Sequence, residues 1–409
     1  MLTPYRRLAA VPHLVPVMLW ALLGRLHMTC TAISITFLVA DWTGSYAKAG
    51  LVVAAVVLGW GVGGPVRGRA ADRGDPVRQL VITSTLYAGG MAVLAVLPAA
   101  AWPMAPVIAF ATGIAVPATG PVGRAMYPRM TSGPTLRAAY TVEATLQELL
   151  FVVGPAAAAL TVAAAGPRFA LGLVSVLALA GGIGFALVLR RAGVHTGPLV
   201  APAGASKGRL LAVPGLAAAI AASMLFVAAY TTVDLALVAW ARDRGTPALA
   251  GALVAVWATG SLIGGFVSGG LPGLRAPRLW LRTLAVAVGM IGLTATLPPL
   301  NGLDSALLVG AVLLVGGTAT SPAAAASNSI VGDLAPDHRR AEAFGWMATS
   351  RTSGGAIAAP IAGLLMDTRG PGAATAAAVV FAFASAGLAA FVRTPASADL
   401  AAVGDERIG

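Results

Sequence analysis

The sequence predicts an all-α polytopic membrane protein in which twelve transmembrane helices form two pseudo-symmetric six-helix bundles. Hydrophobic residues make up 58% of the chain and charged residues only 10%, with a mean hydropathy of +0.84. Polar residues are therefore too few to cover a soluble protein of this length. Apolar runs of about 20 residues, the length that crosses a bilayer, recur along the chain. Short patterns in the first half also return in the second half at a nearly constant spacing.

The apolar runs define twelve predicted membrane spans. They cover residues 13–40, 47–66, 77–99, 103–123, 136–165, 168–189, 213–239, 248–270, 278–298, 303–326, 341–366 and 371–392. The first run is too long for a signal peptide and lacks a small-residue cleavage site, so we interpret it as a retained span. Helix breaks are expected around Pro117, Pro121 and Pro322, where freed carbonyls line a cavity or are bonded again by neighbours.

Basic residues alternate between the two sides of the predicted membrane. Of the 27 Lys and Arg residues, 20 fall in connections on the side of both chain ends and only five on the other side. The positive-inside rule therefore places both termini in the cytoplasm. The net charge of +12 is then a topology signal, and the predicted partner is the lipid bilayer, with no nucleic acid.

A linker is predicted between two halves of the chain. The connection 190–213 contains Gly193, Gly197, Pro198, Pro202, Gly204 and Gly208, a composition that does not pack into a core. We therefore predict a first bundle at 1–190, a cytoplasmic linker at 191–212, and a second bundle with a short cytoplasmic tail at 213–409.

The two halves share a sequence pattern at an offset of about 201 residues. Ala118-Thr119-Gly120-Pro121 returns as Ala319-Thr320-Ser321-Pro322. Other pairs keep nearly the same offset: Gly64 with Gly265, Gly68 with Gly269, Pro76 with Pro277, and Pro134 and Arg137 with Pro336 and Arg339. An offset close to half the chain favours duplication of a six-span unit.

The stretch 64–78, GPVRGRAADRGDPVR, carries the most specific motif. Its glycines allow close helix approach, and Asp72 could accept bonds from the amides of the next helix start or pair with an arginine. Arginines 67, 69, 73 and 78 are expected to hold it in the cytoplasm as a loop. A Gly- and Arg-rich loop of any polytopic protein is the plainer interpretation.

This loop resembles the signature of the major facilitator superfamily: Gly, three residues, Asp-Arg, a nearby Gly, then basic residues. The residues that match are Gly68, Asp72, Arg73, Gly74 and Arg78, and we assign Gly64 to the same loop. The resemblance implies a secondary transporter that works by alternating access, with the loop as a conformational switch. Parallel six-span repeats are also the plan of that family.

Other family patterns are weak in this chain. In the second half, Gly273 and Leu274 stand where the first half has Asp72 and Arg73. The proton-relay arginine often found early in the fourth span is absent, since 104–123 contains no charge. The exporter signature of the fifth span survives only as Gly154-Pro155.

Four charged residues fall inside predicted spans, where charges are costly and indicate function. They are Arg25, Glu143, Glu148 and Arg351. We expect Glu148 to pair with Arg25 or Arg351 and to be the proton-coupling carboxylate, although a purely structural ion pair is the alternative. Glu143 is expected to reach cytoplasmic water or pair with a loop arginine. Asp234 lies near the outer end of a span, where solvation is cheap.

Histidine and hydroxyl groups supply further candidates. His27 lies opposite Arg25 on the first span, with Thr31 and Ser34, so either a hydroxyl satisfies it or it relays protons. The candidates for the substrate cavity are Thr29, Thr112, Thr119, Tyr230 and Asn328; the polar ones could instead bond helix carbonyls. Trp20, Phe37, Phe226 and Trp257 offer stacking surface or face lipid.

The predicted function is proton-coupled export of a small molecule, a drug or a metabolite, across a cytoplasmic membrane. Proton-coupled nutrient uptake and a non-transporting sensor or assembly protein are the alternatives. No Ser-His-Asp set, metal cluster or phosphate-binding motif is present, so we predict neither an enzyme nor a cofactor. Two lysines against 25 arginines, with abundant Ala and Gly, favour a bacterial origin.

Overall fold

The computed structural model describes residues 3–194, 209–243, 248–270, 279–296 and 303–392, and these residues form helices without any strand. The α-helices are α1 Thr3–Ala10, α2 Leu14–Thr43, α3 Tyr46–Arg73, α4 Pro76–Val96, α5 Ala105–Ile114, α6 Thr119–Met130, α7 Gly133–Ala165, α8 Pro167–Ala192, α9 Leu216–Asp243, α10 Ala248–Gly270, α11 Leu279–Thr296, α12 Leu303–Gly317, α13 Thr320–Leu334, α14 Arg340–Arg369 and α15 Pro371–Ala390.

Helices occupy all twelve predicted spans. Ten of these helical stretches are long and apolar enough to cross a membrane within the described residues. The other two are α11, whose apolar part is Leu281–Gly292, and α14, which carries several charged and hydroxyl residues in its first half. The short helix α1 was not predicted, because eight residues are too few for a clear periodic pattern.

The predicted helix breaks occur in the fourth and tenth spans. The fourth span is divided into α5 and α6 by residues 115–118, and the tenth into α12 and α13 by residues 318–319. Pro121 and Pro322 lie in the first turns of α6 and α13 and interrupt nothing, because the amide that proline lacks has no partner in a first turn. Both second pieces begin at the recurring motif, at Thr119 and Thr320. The internal repeat is therefore also a structural repeat.

The described residues form two compact units. The first contains 3–139, 145–194 and 337–352, and the second contains 140–144, 209–243, 248–270, 279–296, 303–336 and 353–392. Tyr87, Met91 and Leu38 are buried in the core of the first unit, while Trp240, Leu237 and Met290 are buried in the core of the second. The start of α14 thus packs with helices of the first half of the chain.

Part of the sequence analysis lies outside the described residues. This concerns 195–208 within the predicted linker, and Gly273, Leu274 and Pro277 of the second-half loop. The predicted boundaries of the two bundles remain a prediction.

Candidate functional site

The predicted loop 64–78 is mostly helix, which corrects its placement. α3 continues to Arg73, and Gly74 ends it, with its amide bonded to the carbonyl of Ala70. α4 begins directly afterwards, because the carboxylate of Asp75 accepts a bond of 2.8 Å from the amide of Val77. The segment Arg69–Arg73 is rich in Arg and Ala, which favour helix. This explains why α3 extends beyond the apolar span predicted at 47–66.

Asp72 is half-buried against the start of α14. Its two carboxylate oxygens accept hydrogen bonds from the amides of Ala341, at 2.9 Å, and Glu342, at 2.7 Å. The first amides of a helix have no partner within the helix and carry its positive dipole end, so a carboxylate is well suited to them. Of the two predicted roles for Asp72, bonding to the amides at a helix start is the one observed. The helix is α14, however, and not α4, which follows α3 in the chain.

Glu342 completes this contact. Its side chain is 2% exposed and accepts charge-assisted bonds from Arg69, at 2.7 Å, and Arg339, at 2.9 Å. We call Arg69, Asp72, Arg339, Ala341 and Glu342 the Asp72 latch. The sequence analysis missed Glu342, since nothing local connects it with a motif about 270 residues earlier. Its place in the first turn of a span, beside two arginines, was the available signal.

Small residues form the rest of the contact between α3 and α14. Gly64 lies against the backbone of Gly345, and Gly68 against the backbone of Ala341, so that neither glycine leaves room for a Cβ atom. The hydroxyl of Thr349 donates a bond of 2.6 Å to the carbonyl of Gly61. A stripe of small residues every fourth position lets two membrane helices touch backbone to backbone. Arg73, Gly74 and Arg78 are exposed at the end of this contact.

Arg67 also differs from the prediction. It is buried, at 9% exposure, and its guanidinium donates to carbonyls of Gly113, Ile114 and Trp60. A buried arginine is stable here because the carboxyl end of α5 is the negative end of a helix dipole. It is therefore not one of the arginines that mark a cytoplasmic loop.

Arg25, on α2, and the carboxylates of α7 are charged groups within apolar helices. Arg25 is 6% exposed and donates to the carbonyl of Ala21, at 2.9 Å, and to the side-chain oxygen of Gln147, at 2.5 Å. Glu148 follows Gln147 directly and is half-buried, as is Arg351. The ion pair of Glu148 with Arg25 or Arg351 remains a prediction.

Glu143 does not reach water, because its side chain is only 2% exposed. Of its two predicted surroundings, exposure to water is therefore wrong, and pairing with an arginine remains a prediction. Asp234, in α9, is half-buried. Gly154, of the predicted exporter dipeptide, packs against Thr29, and its carbonyl accepts a bond from the thiol of Cys30 at 3.3 Å.

His27 is fully buried beside Tyr87, with the two rings edge to face and 4.8 Å between their centroids. The predicted hydroxyl partner is wrong, since among the described residues no hydroxyl bonds either ring nitrogen of His27. The Thr31 hydroxyl bonds the His27 carbonyl at 2.7 Å and the Tyr87 hydroxyl at 3.0 Å instead. The proton-relay role of His27 is untested.

The polar cavity candidates mostly bond carbonyls. The hydroxyls of Thr29 and Thr112 donate within their own helices, at 2.8 and 2.7 Å, and that of Thr119 donates to Gly24 at 3.4 Å. Tyr230 stacks on Trp257, with 4.3 Å between ring centroids. Asn328 is 1% exposed in α13. Their contact with a substrate remains a prediction.

The comparisons with known proteins agree with the twelve-helix architecture. The family model of the Major Facilitator Superfamily matches residues 17–359. A bacterial homologue of the iron transporter ferroportin superimposes with a TM-score of 0.75 at 12% identity, covering 92% of this chain and 98% of that one.

Two further solved structures share the fold. The E. coli fucose:proton symporter superimposes with a TM-score of 0.71 at 15% identity, covering 94% of this chain and 99% of that one. The human organic anion transporter MFSD10 superimposes with a TM-score of 0.66 at 15% identity, covering 92% of this chain and 99% of that one. No curated sequence matches the chain. The match across most of its length shows that this chain, a multi-pass membrane protein and not an enzyme, belongs to the Major Facilitator Superfamily of secondary transporters.

Proposed function

We propose that this protein exports a small molecule, a drug or a metabolite, in exchange for protons by alternating access. The observation that carries the proposal is the set of charged residues inside the predicted spans on α2 and α7. The nearly buried Arg25 bonds Gln147, the residue next to Glu148, and Glu143 is buried one turn before Gln147. Charges at this depth are unfavourable by several kcal/mol unless paired, which is why they indicate ion coupling.

The Asp72 latch supplies the proposed conformational switch. It joins α3, from the first half of the chain, to the start of α14, from the second half, through bonds that can break without any covalent change. We propose that the latch forms in one state of the cycle and opens in the other. The exposed Arg73, Gly74 and Arg78 lie at its cytoplasmic edge.

Export is favoured over import by the resemblance of Gly154-Pro155 to the exporter signature. In the structure this glycine packs on α2 at Thr29, the helix that also carries Arg25. Proton-coupled uptake is the second candidate, because solved structures with this fold include the fucose:proton symporter and a proton:xylose symporter.

The proposed setting is a bacterial cytoplasmic membrane with both termini in the cytoplasm. The six-helix bundles at 1–190 and 213–409 and the linker between them belong to the same proposal. Its support is the bias of basic residues and the repeat of the broken helix at Thr119 and Thr320.

Transport in oriented vesicles tests the function. A screen for thermal stabilisation of the purified protein first identifies a binding compound, since a ligand stabilises the state it binds. Inverted vesicles with an acidic interior should then accumulate this compound, whereas right-side-out vesicles with an acidic exterior should not. Accumulation only in the right-side-out vesicles would establish uptake, and binding without transport in either would favour a sensor.

A further inference from the structure

The break in the fourth span begins at a missing amide. In a continuous helix, the amide of residue 117 would bond the carbonyl of Gly113, and that of residue 118 would bond Ile114. Residue 117 is proline and has no N–H to donate. Val116 instead closes a tight turn onto the Gly113 carbonyl at 3.1 Å, and α5 ends at Ile114.

Arg67 supplies hydrogen bonds at this position. One nitrogen of its guanidinium donates to the carbonyls of Gly113, at 3.2 Å, and Ile114, and the other donates to Trp60 at 3.3 Å. Gly63 is required beside it, because a Cβ atom there would overlap the guanidinium. Two separate nitrogens in one planar group reach three carbonyls at fixed angles, whereas a lysine would present all its donors on a single nitrogen.

The break in the tenth span has a different hydrogen-bond pattern. Thr318 stands at the position equivalent to Pro117, and both its amide, at 3.1 Å, and its hydroxyl, at 2.6 Å, bond the carbonyl of Val315. Ser268 stands at the position equivalent to Arg67, and its hydroxyl donates to Gly265 in its own helix at 3.2 Å. The arginine is thus present in the half whose break lacks an amide.

The two pieces of the fourth span are held by different helices. α5 packs tightly on α3, where Gly59 and Gly113 meet without room for a Cβ atom, and Arg67 extends this contact to the end of α5. α6 starts beside α2 instead, with Thr119 bonded to Gly24 and Gly120 against the side chain of Arg25. The break therefore joins α5, which is fixed to α3, with α6, which lies against Arg25 of α2.

We propose that Arg67 is a positioning residue of the transport cycle, which donates to the Gly113 and Ile114 carbonyls at the break before Pro117 and fixes the end of α5 to α3. A displacement of α3 at the Asp72 latch would then move the carboxyl end of α5 as well. This role in the cycle rests on the proposed function, whereas the contact itself does not.

A double-mutant cycle with Arg67→Gln and Pro117→Ala tests the contact. Hydrogen exchange measured by mass spectrometry over residues 105–130 should be faster in Arg67→Gln by on the order of tenfold. In the Pro117→Ala background Arg67→Gln should accelerate exchange much less, because the helix can then continue and the amides of residues 117 and 118 donate to Gly113 and Ile114. Val66→Ala, which trims an exposed side chain of α3 next to Arg67, should leave exchange in α5 unchanged.

Two outcomes would overturn the proposal. One is an unchanged exchange rate at 110–118 in Arg67→Gln. The other is a double variant in which the effects of the two substitutions on the free energy of opening simply add. If Arg67→Gln does not fold, Arg67→Lys replaces it, and its defect should again shrink in the Pro117→Ala background.

Proteoliposome exchange of the compound found by thermal stabilisation then tests the role in the cycle. Arg67→Gln should slow exchange while binding stays within about twofold of the wild type; an unchanged exchange rate would show that Arg67 only stabilises the fold. A wild-type protein that binds the compound but never transports it would refute the proposed function and leave the contact standing.

Discussion

The carboxylate of Asp72 lies 2.7 Å from the backbone amide nitrogen of Glu342, so a side chain at the end of α3 caps the first turn of α14. Helix caps of this kind contribute about 0.5–2 kcal/mol. This is enough to shift a two-state equilibrium by roughly an order of magnitude without deciding whether the protein folds.

Asp72→Asn should slow transport and leave equilibrium binding of substrate nearly intact. The asparagine side chain keeps one acceptor oxygen, but its amide group opposes the positive end of α14. Turnover in proteoliposomes and binding to the purified protein measure the two effects separately. Asp75→Asn is the matched control, because Asp75 also caps a helix, three residues away, but caps α4. A large loss of binding by a folded Asp72→Asn protein would contradict the assignment.

Gly68→Ala should impair transport by weakening the contact between α3 and α14. The new Cβ atom would overlap the carbonyl of Ala341, so α3 and α14 must separate and weaken the Asp72 latch. Gly50→Ala is the control, because a Cβ atom there meets nothing within 4 Å and alanine favours helix by about 1 kcal/mol. Thermal stability and turnover of both variants check this; equal effects would show that the close contact is unimportant.

Glu148→Gln should abolish accumulation driven by a pH gradient while sparing exchange at equal pH. Glutamine keeps the size and part of the hydrogen bonding but cannot carry a proton, so the link between proton and substrate affinity is lost. Both assays use the same proteoliposomes, with thermal stability measured alongside. If the variant still concentrates substrate, Glu148 belongs to a structural ion pair, and Glu143 or Asp234 is the next variant to make.

A cysteine at position Gly204 should be protected from impermeant maleimide in intact cells and react in inverted vesicles. The bias of basic residues places the linker in the cytoplasm. The only natural cysteine, Cys30, is buried and can be replaced by serine for this experiment. Labelling from outside intact cells would reverse the proposed topology.

The helices were predictable and the contacts between them were not. Apolar length located every span, and the missing amide of Pro117 located one break, since both are local properties of the chain. The partner of Asp72 was assigned to the wrong helix, and Arg67 was placed in a loop, because each is decided by residues far away in sequence. The bond from Asp72 to Glu342 spans 270 residues, a relation that periodicity does not contain.

The small-residue stripe on α3 and α14 also bears on how quickly this contact can form and separate. Gly64, Gly68, Gly345 and Ala341 have no side-chain rotamers to order, so bringing the helices together costs little conformational entropy beyond that of the backbone. Few side chains must rearrange before the surfaces match. The free-energy difference between joined and separated helices is then set largely by the few charged bonds of the Asp72 latch. Ionic strength on the side of Arg69 should therefore alter the ratio of the two states.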